Sequence, residues 1–170
     1  MSASAVFGRI MVPTDFSVSA ERAWALAQRL ARATGSELVL VHVVPGSASA
    51  LARADHASEA ARKWAAEELE DCAGKARAQG LGVRVALRTG VPYREIVALA
   101  REEDADLIIV ATRGRGGIDR ARPGRVADQV VRGAPCPVLT VPEPAGGRSA
   151  QSADGRGKAR TKVVPRPGSD

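Results

Sequence analysis

Short apolar runs alternate along this chain with segments in which apolar residues recur at helical spacing. The runs predict strands at residues 10–12, 38–44, 107–111 and 138–141, and the alternating apolar residues Val83, Val85 and Leu87 predict a further strand at 83–87. The intervening segments predict four helices: one that begins among Asp15, Ser17 and Ser19 and ends at Gly35, one over 57–79 with Gly80 as its C-cap, one opened by Pro92, and one over 125–132. The second of these helices is predicted to bury a face made of Ala61, Trp64, Ala65, Cys72 and Ala76.

This order of elements predicts an α/β fold in which a parallel sheet is covered by helices on both faces. In such folds, ligands bind outside the carboxyl ends of the strands, where the strand order reverses. We therefore expect Pro13, Thr14 and Asp15, after the first strand, to share a crevice with residues 111–117, after the fourth.

The segment that follows the fourth strand is rich in glycine and arginine. RGRGG occupies 113–117, and Gly124 precedes the last predicted helix. Glycine reaches positive φ, so successive N–H groups can form an anion-binding nest, to which a helix N-terminus adds its positive end. This pattern favours phosphate binding, with a plain surface turn as the alternative. The nearby cations that favour an anion are Arg113, Arg115, Arg120, Arg122 and Arg125.

The composition fits one globular domain. A chain of 170 residues with 45% hydrophobic content can bury a core of its own. The N-terminus has no signal-peptide pattern, and the longest apolar stretch, 38–44, is too short to cross a bilayer. We therefore expect a cytoplasmic protein without a membrane partner.

The net charge of +6 is concentrated in part at the C-terminus. Residues 142–170 hold six Lys or Arg and three Asp or Glu, with few apolar residues, which predicts a disordered basic tail at 143–170. Residues 1–6 are expected to be a flexible N-terminus, and 7–142 the domain. An aromatic content of 3% leaves little to stack on bases, so a solubilising tail is favoured over a nucleic-acid-binding arm.

Few residues offer catalytic or metal chemistry. Cys72 and Cys136 lack the spacing of a zinc site or disulfide framework, and His42 is expected to be a core or crevice-wall residue. No Ser-His-Asp or Cys-His arrangement and no carboxylate pair is evident, which argues against dedicated catalysis. Asp15 is open to two interpretations, a ligand-binding carboxylate or a helix N-cap.

Five segments together resemble the universal stress protein family over residues 7–142. They are VPTDFS at 12–17, LVHV at 40–43, GVP at 90–92, DLIIV and TRGR at 106–110 and 112–115, and APCPVL at 134–139. The resemblance implies a flavodoxin-like, Rossmann-like sheet of order 3-2-1-4-5 and a homodimer, which we expect to form through Val138–Val141. It also implies that the chain binds ATP or a related nucleotide as a stress-response switch, with at most slow hydrolysis.

In the branch of this family that binds ATP, the motif is G-x-x-G, nine residues, then G followed by Ser or Thr. Here Gly114 and Gly124 match, whereas Ala111 and Arg125 replace the first glycine and the hydroxyl residue. Arg125 can itself pair with phosphate or can fill the pocket. The alternative is therefore a nucleotide-free regulatory homodimer that acts through protein partners.

The resemblance implies a set of nucleotide-binding residues. Among them, Asp15 is expected to contact the ribose or, through a bound nucleotide, Mg²⁺, and Val43 to lie beside the adenine. The full set is Pro13, Thr14, Asp15, Val43, Val110, Ala111, Arg113, Gly114, Arg115, Gly117, Gly124, Arg125 and Val126.

Overall fold

A computed structural model describes residues 6–46, 56–112 and 125–142. Within these ranges, strands and helices alternate as the sequence predicts. In chain order they are β1 (Arg9–Pro13), α1 (Val18–Thr34), β2 (Glu37–Pro45), α2 (His56–Arg77), β3 (Val83–Gly90), α3 (Pro92–Glu102), β4 (Leu107–Ala111), α4 (Arg125–Gly133) and β5 (Val138–Val141).

The strands form one parallel sheet in the order β3-β2-β1-β4-β5. Both the α/β class and the strand order predicted from the sequence are confirmed. Since β1 and β4 are adjacent and the chain runs outward from β1 in both directions, the strand order reverses between these two strands. Ligands of open α/β sheets bind outside the carboxyl ends of strands at such a point.

Each face of the sheet carries its own hydrophobic core. On one face, Ile10, Leu38 and Leu40 pack with residues of α1 and α2; on the other, Met11 and Val41 pack with residues of α3 and α4. Adjacent strand residues point to opposite faces, so each buried strand is apolar on both sides. Helices therefore cover both faces, as predicted.

The helix ends follow the predicted glycine signals. Gly35 has φ +75° at the end of α1, and its N–H bonds to the carbonyl of Ala31 at 2.8 Å. After α2, Gly80 has φ +83°, and the N–H of Leu81 reaches back to the carbonyl of Ala76 at 3.3 Å. This is the pattern of a Schellman cap, which a left-handed glycine completes without a Cβ clash.

The predicted buried face of α2 is wrong in part. Ala65 and Ala76 are buried, together with Leu69 and Ala73, and Cys72 is half-buried. Ala61 and Trp64, however, are exposed. Arg62 donates to the Thr89 hydroxyl at 2.7 Å, near the carboxyl end of β3, so this part of α2 lies at the margin of the sheet. There is less sheet surface there to cover the helix.

The predicted flexible terminus, glycine-rich loop and basic tail lie largely outside the described residues. The domain boundaries at 7–142 therefore stay a prediction. Among the helices of the described part, none has an apolar stretch long enough to span a membrane.

Candidate functional site

The turn between β1 and α1 stands at the carboxyl edge of the sheet, next to β2. The N–H of Thr14 donates to the carbonyl of Val41 at 2.8 Å, which continues the β1–β2 ladder into the turn. His42 Nδ1 lies 2.8 Å from the carbonyl oxygen of Thr14. The backbone N–H and C=O of Thr14 are thus both hydrogen-bonded to residues of β2.

Side chains of the turn fix the rest of its path. The Thr14 hydroxyl accepts from the N–H of Phe16 at 3.0 Å, and Asp15 Oδ1 accepts from the N–H of Ser17 at 3.1 Å. Phe16 has φ +58°, a left-handed conformation that is uncommon for a bulky residue. Such strain persists only where neighbouring contacts determine the backbone, as they do here.

Ser17, and not Asp15, is the N-cap of α1. The Ser17 hydroxyl accepts from the N–H of Ala20 at 3.2 Å, as an N-cap side chain does. The N-cap interpretation of Asp15 is therefore wrong. Its carboxylate instead closes a local turn by accepting from the backbone two residues later, a common role of Asp before a helix.

The described residues of the predicted nucleotide site lie on adjacent elements. Pro13 is the last residue of β1, and Thr14 and Asp15 are half-buried in the turn. Val43 on β2 and Val110 on β4 are buried in the core that faces α3 and α4. Because β1 lies between β2 and β4, these three strand ends share one edge of the sheet.

Ala111, Arg125 and Val126 flank the glycine-rich segment. Ala111 ends β4 half-buried, and its β5 partner in register is Val141. Arg125 and Val126 are exposed in the first turn of α4. The remaining predicted site residues, Arg113, Gly114, Arg115, Gly117 and Gly124, lie outside the described residues.

The turn also contributes to an aromatic cluster, made of His42, Phe16 and Trp64, that was not predicted from the sequence. The rings of His42 and Phe16 are 4.7 Å apart, and the ring of Trp64 meets Phe16 edge-on at 5.2 Å. The prediction that His42 is a core or crevice-wall residue agrees with its half-buried position and its hydrogen bond. No motif in the sequence links these positions, which lie on three different elements.

Cys72 and Cys136 are free, half-buried thiols in the described part of the chain. Burial raises the pKa of the Cys72 and Cys136 thiols, the opposite of what activates a cysteine. Within the three described ranges, no group of three or more His, Cys, Asp and Glu is placed to hold a metal ion. What the described part of this edge offers is a turn whose backbone is fixed by several hydrogen bonds.

Fold and site define a doubly wound α/β protein with a candidate ligand-binding edge, and comparison with known proteins gives its family. The profile of the Universal stress protein family matches residues 7–142. Universal stress protein MJ0531 of Methanocaldococcus jannaschii is 32% identical over 143 residues, which cover 82% of this chain and 84% of that protein. The chain therefore belongs to the universal stress protein family.

Solved structures agree with the family and with the fold. The universal stress protein UspA of Lactobacillus plantarum superposes with a TM-score of 0.70 at 22% identity, over 78% of this chain and 96% of that one. The universal stress protein of Archaeoglobus fulgidus in complex with dAMP superposes with a TM-score of 0.61 at 28% identity, over 79% of this chain and 98% of that one.

Proposed function

We propose that this protein binds an adenine nucleotide, ATP or a close relative, and serves as a stress-response switch with at most slow hydrolysis. The observation that carries this proposal is the turn from Thr14 to Ser17. It is held rigidly to β2 at the carboxyl edge, beside the reversal of strand order. A similar protein of the same family, from Archaeoglobus fulgidus, is described as a complex with dAMP.

The chemistry of this edge suits the parts of a nucleotide. Val43 and its neighbours offer an apolar strand end for a base, and the Asp15 carboxylate can accept from ribose hydroxyls. Arg125 lies at the N-terminal end of α4, where a guanidinium and the positive end of a helix both favour a phosphate. The predicted glycine nest at 113–117 would complete the phosphate site.

Mg²⁺ would enter this site with the nucleotide. The residues present fit such a metal only in part, because Asp15 is one carboxylate that already accepts from the N–H of Ser17. Mg²⁺ prefers six oxygen ligands and is often held by one or two carboxylates together with phosphates and water. Asp15 would then supply one oxygen, and the phosphates and water would supply the others.

The test is nucleotide titration of purified protein by calorimetry, with mass spectrometry of any nucleotide that co-purifies. Asp15→Asn should weaken ATP binding by about tenfold, or about 1.4 kcal/mol. Asp104→Asn is the matched control, since it makes the same change in the turn before β4, at the opposite edge of the sheet. Equal affinity in wild type and Asp15→Asn would refute the site assignment, and no binding by the wild type would refute nucleotide binding itself.

The second candidate is a nucleotide-free regulatory homodimer that acts through protein partners. Ala111 and Arg125, which depart from the ATP-binding motif, favour it. So does β5, an edge strand on which Leu139 and Thr140 are exposed. An open edge presents unpaired N–H and C=O groups that can pair with a second copy across a two-fold axis.

Light scattering tests the dimer. Leu139→Lys should convert it to a monomer, because it places a charge in the strand pairing. Val91→Lys is the control. Val91 is similarly exposed, but it follows β3, the outermost strand on the side of the sheet away from β5. An unchanged mass in a folded Leu139→Lys variant would exclude β5 as the interface.

A further inference from the structure

A cavity of 280 Å³ opens between α1, α2 and the turn after β1. Leu40, on its wall, belongs to the core on the α1 and α2 face, whereas Val43 and Val110 belong to the other core. The cavity shares Thr14 with the proposed nucleotide site, but it lies across the sheet from the part of that site that would hold the base. Its volume is near the lower end of ligand pockets, which start at about 300 Å³.

Aromatic rings form much of the cavity wall. Trp24 and Trp64 both line the cavity; Trp24 is buried with 9% exposure, and Trp64 is exposed at 42%. Phe16 stands against Trp64 with ring centroids 5.2 Å apart. The faces of such rings carry negative charge density and attract cations, most strongly for tryptophan.

Two carboxylates, one on each of the helices α1 and α2, also line the cavity. Glu21 on α1 and Glu68 on α2 both border the cavity, and no Lys or Arg is among its described lining residues. Neither carboxylate forms a hydrogen bond or an ion pair with another side chain in the part of the chain that the structure describes. By contrast, their neighbours Glu70 and Asp71 pair with Arg77 and Lys75 on the outer surface of α2.

Cys72 lies on the same side of the cavity wall as the carboxylate-bearing face of α2. Cys72 lines the cavity, and its pKa is raised first by burial and then by Asp71, with Glu68 and Glu21 acting in the same direction. Lys75 acts in the opposite direction and forms an ion pair with Asp71 at 2.6 Å, so these two charges largely offset each other and the two glutamates add smaller contributions. Two carboxylates without an ion-pair partner among the described residues, beside a half-buried space, favour a positively charged ligand.

We propose that this cavity binds a small organic cation, an ammonium group with methyl or short alkyl substituents. Trp24, Trp64 and Phe16 would surround its apolar surface, and Glu21 and Glu68 would balance its charge. Aromatic cages are the usual means of recognising alkylated ammonium groups. A hard metal cation is disfavoured, because it needs several oxygen ligands and the described wall offers two carboxylates among aromatic, aliphatic and thiol side chains.

Tryptophan fluorescence gives a direct test, because the sequence has two tryptophans and both line the cavity. Choline is titrated at constant ionic strength without nucleotide, and its neutral isostere 3,3-dimethyl-1-butanol is titrated in parallel. We expect a saturable change with choline and binding weaker by about tenfold for the alcohol, the effect of one cation–π and ion-pair contribution. Equal binding of the two would overturn the cationic specificity, and no saturation by about 10 mM choline would overturn the site.

Variants locate the binding. Glu68→Gln and Glu21→Gln keep the size of the side chain and should each weaken choline binding by about threefold to tenfold. Glu67→Gln is the matched control, since it removes a charge from the adjacent, exposed position of α2 that does not line the cavity. Trp64→Leu should weaken choline more than the alcohol. Equal losses in Glu67→Gln and Glu68→Gln would mean a surface charge effect and would refute the proposal.

Discussion

His42 Nδ1 is hydrogen-bonded to the carbonyl oxygen of Thr14 at a distance of 2.8 Å. Because a carbonyl oxygen can only accept, the histidine donates, so Nδ1 carries the proton. The bond ties β2 to the turn that carries Asp15, and the same imidazole ring packs 4.7 Å from Phe16. One side chain of β2 thus holds both the backbone and the aromatic ring of the turn.

Replacement of His42 by Phe should lower the free energy of unfolding by about 1 kcal/mol, because the Thr14 carbonyl loses its side-chain donor while a ring is retained against Phe16. Urea denaturation followed by circular dichroism measures the change. If the midpoint is unchanged, the hydrogen bond contributes nothing to stability.

At position 16, a glycine variant should be more stable than an alanine variant, which is the reverse of the usual order. At φ +58°, alanine meets a steric cost that glycine does not, so Phe16→Gly should be more stable than Phe16→Ala by about 1 kcal/mol. Both variants lose the same ring contacts with His42 and Trp64, which leaves the backbone as the difference. Thermal unfolding of the two proteins compares them directly, and a more stable alanine variant would contradict the assigned conformation.

Two glycines of the α2 region should respond in opposite directions to alanine. Gly74 lies inside the helix and Gly80 has φ +83°, yet a Cβ added at either meets no atom within 4 Å. Only backbone conformation differs, so Gly74→Ala should stabilise the protein by about 0.5–1 kcal/mol. Gly80→Ala should destabilise it by about 1 kcal/mol. Melting temperatures that shift in the same direction would refute this.

Four charged residues form a network at the amino edge of the sheet. Glu103 meets both Arg9 and Arg84, and Glu37 pairs with the same two arginines at 3.2 and 3.0 Å. The hydrogen bond with Glu103 is the main cause that raises the pKa of Arg84. Shared partners make this network more favourable than one isolated surface pair.

Glu103→Gln should therefore cost about 0.5–1 kcal/mol of stability, and the cost should shrink in 1 M NaCl, where charges are screened within about 3 Å. Glu102→Gln is the control, because its described ion pair is with Arg88 alone and its side chain is more exposed. The two variants are compared by urea denaturation at low and high salt. Equal losses at low salt would mean that the network adds nothing beyond single pairs.

The sequence predicted the elements of this fold because their signals are local. Each buried strand contains an apolar run, and Gly35 and Gly80 mark helix ends by a requirement for positive φ. The strand order came from the family resemblance, which covers the same residues, 7–142, that the family profile matches. Local pattern and family resemblance together were sufficient for the architecture.

Side-chain relationships at the site were harder to predict, because they join residues that are distant in sequence. The hydrogen bond between His42 and Thr14 depends on strand register, and the contact of Phe16 with Trp64 depends on how α2 crosses the sheet. Helical spacing predicted that Trp64 is buried in the core. This prediction was wrong, because helical spacing does not show where the sheet beneath a helix ends. The position of Asp15, two residues before Ser17, likewise left its role open.

The inner face of α1 is made largely of alanine. Ala20, Ala23, Ala27 and Ala31 are buried there, and Trp24 is the one large buried side chain of the helix. Short side chains let a helix lie close to the sheet, so the distance between α1 and the sheet is set by the methyl groups of these alanines. Because α1 begins directly after the turn, the distance between α1 and the sheet also determines the position of the turn relative to the strand ends. A bulkier residue at Ala20 would push α1 away from the sheet, and a substitution inside the core would then change the geometry of the proposed ligand-binding edge.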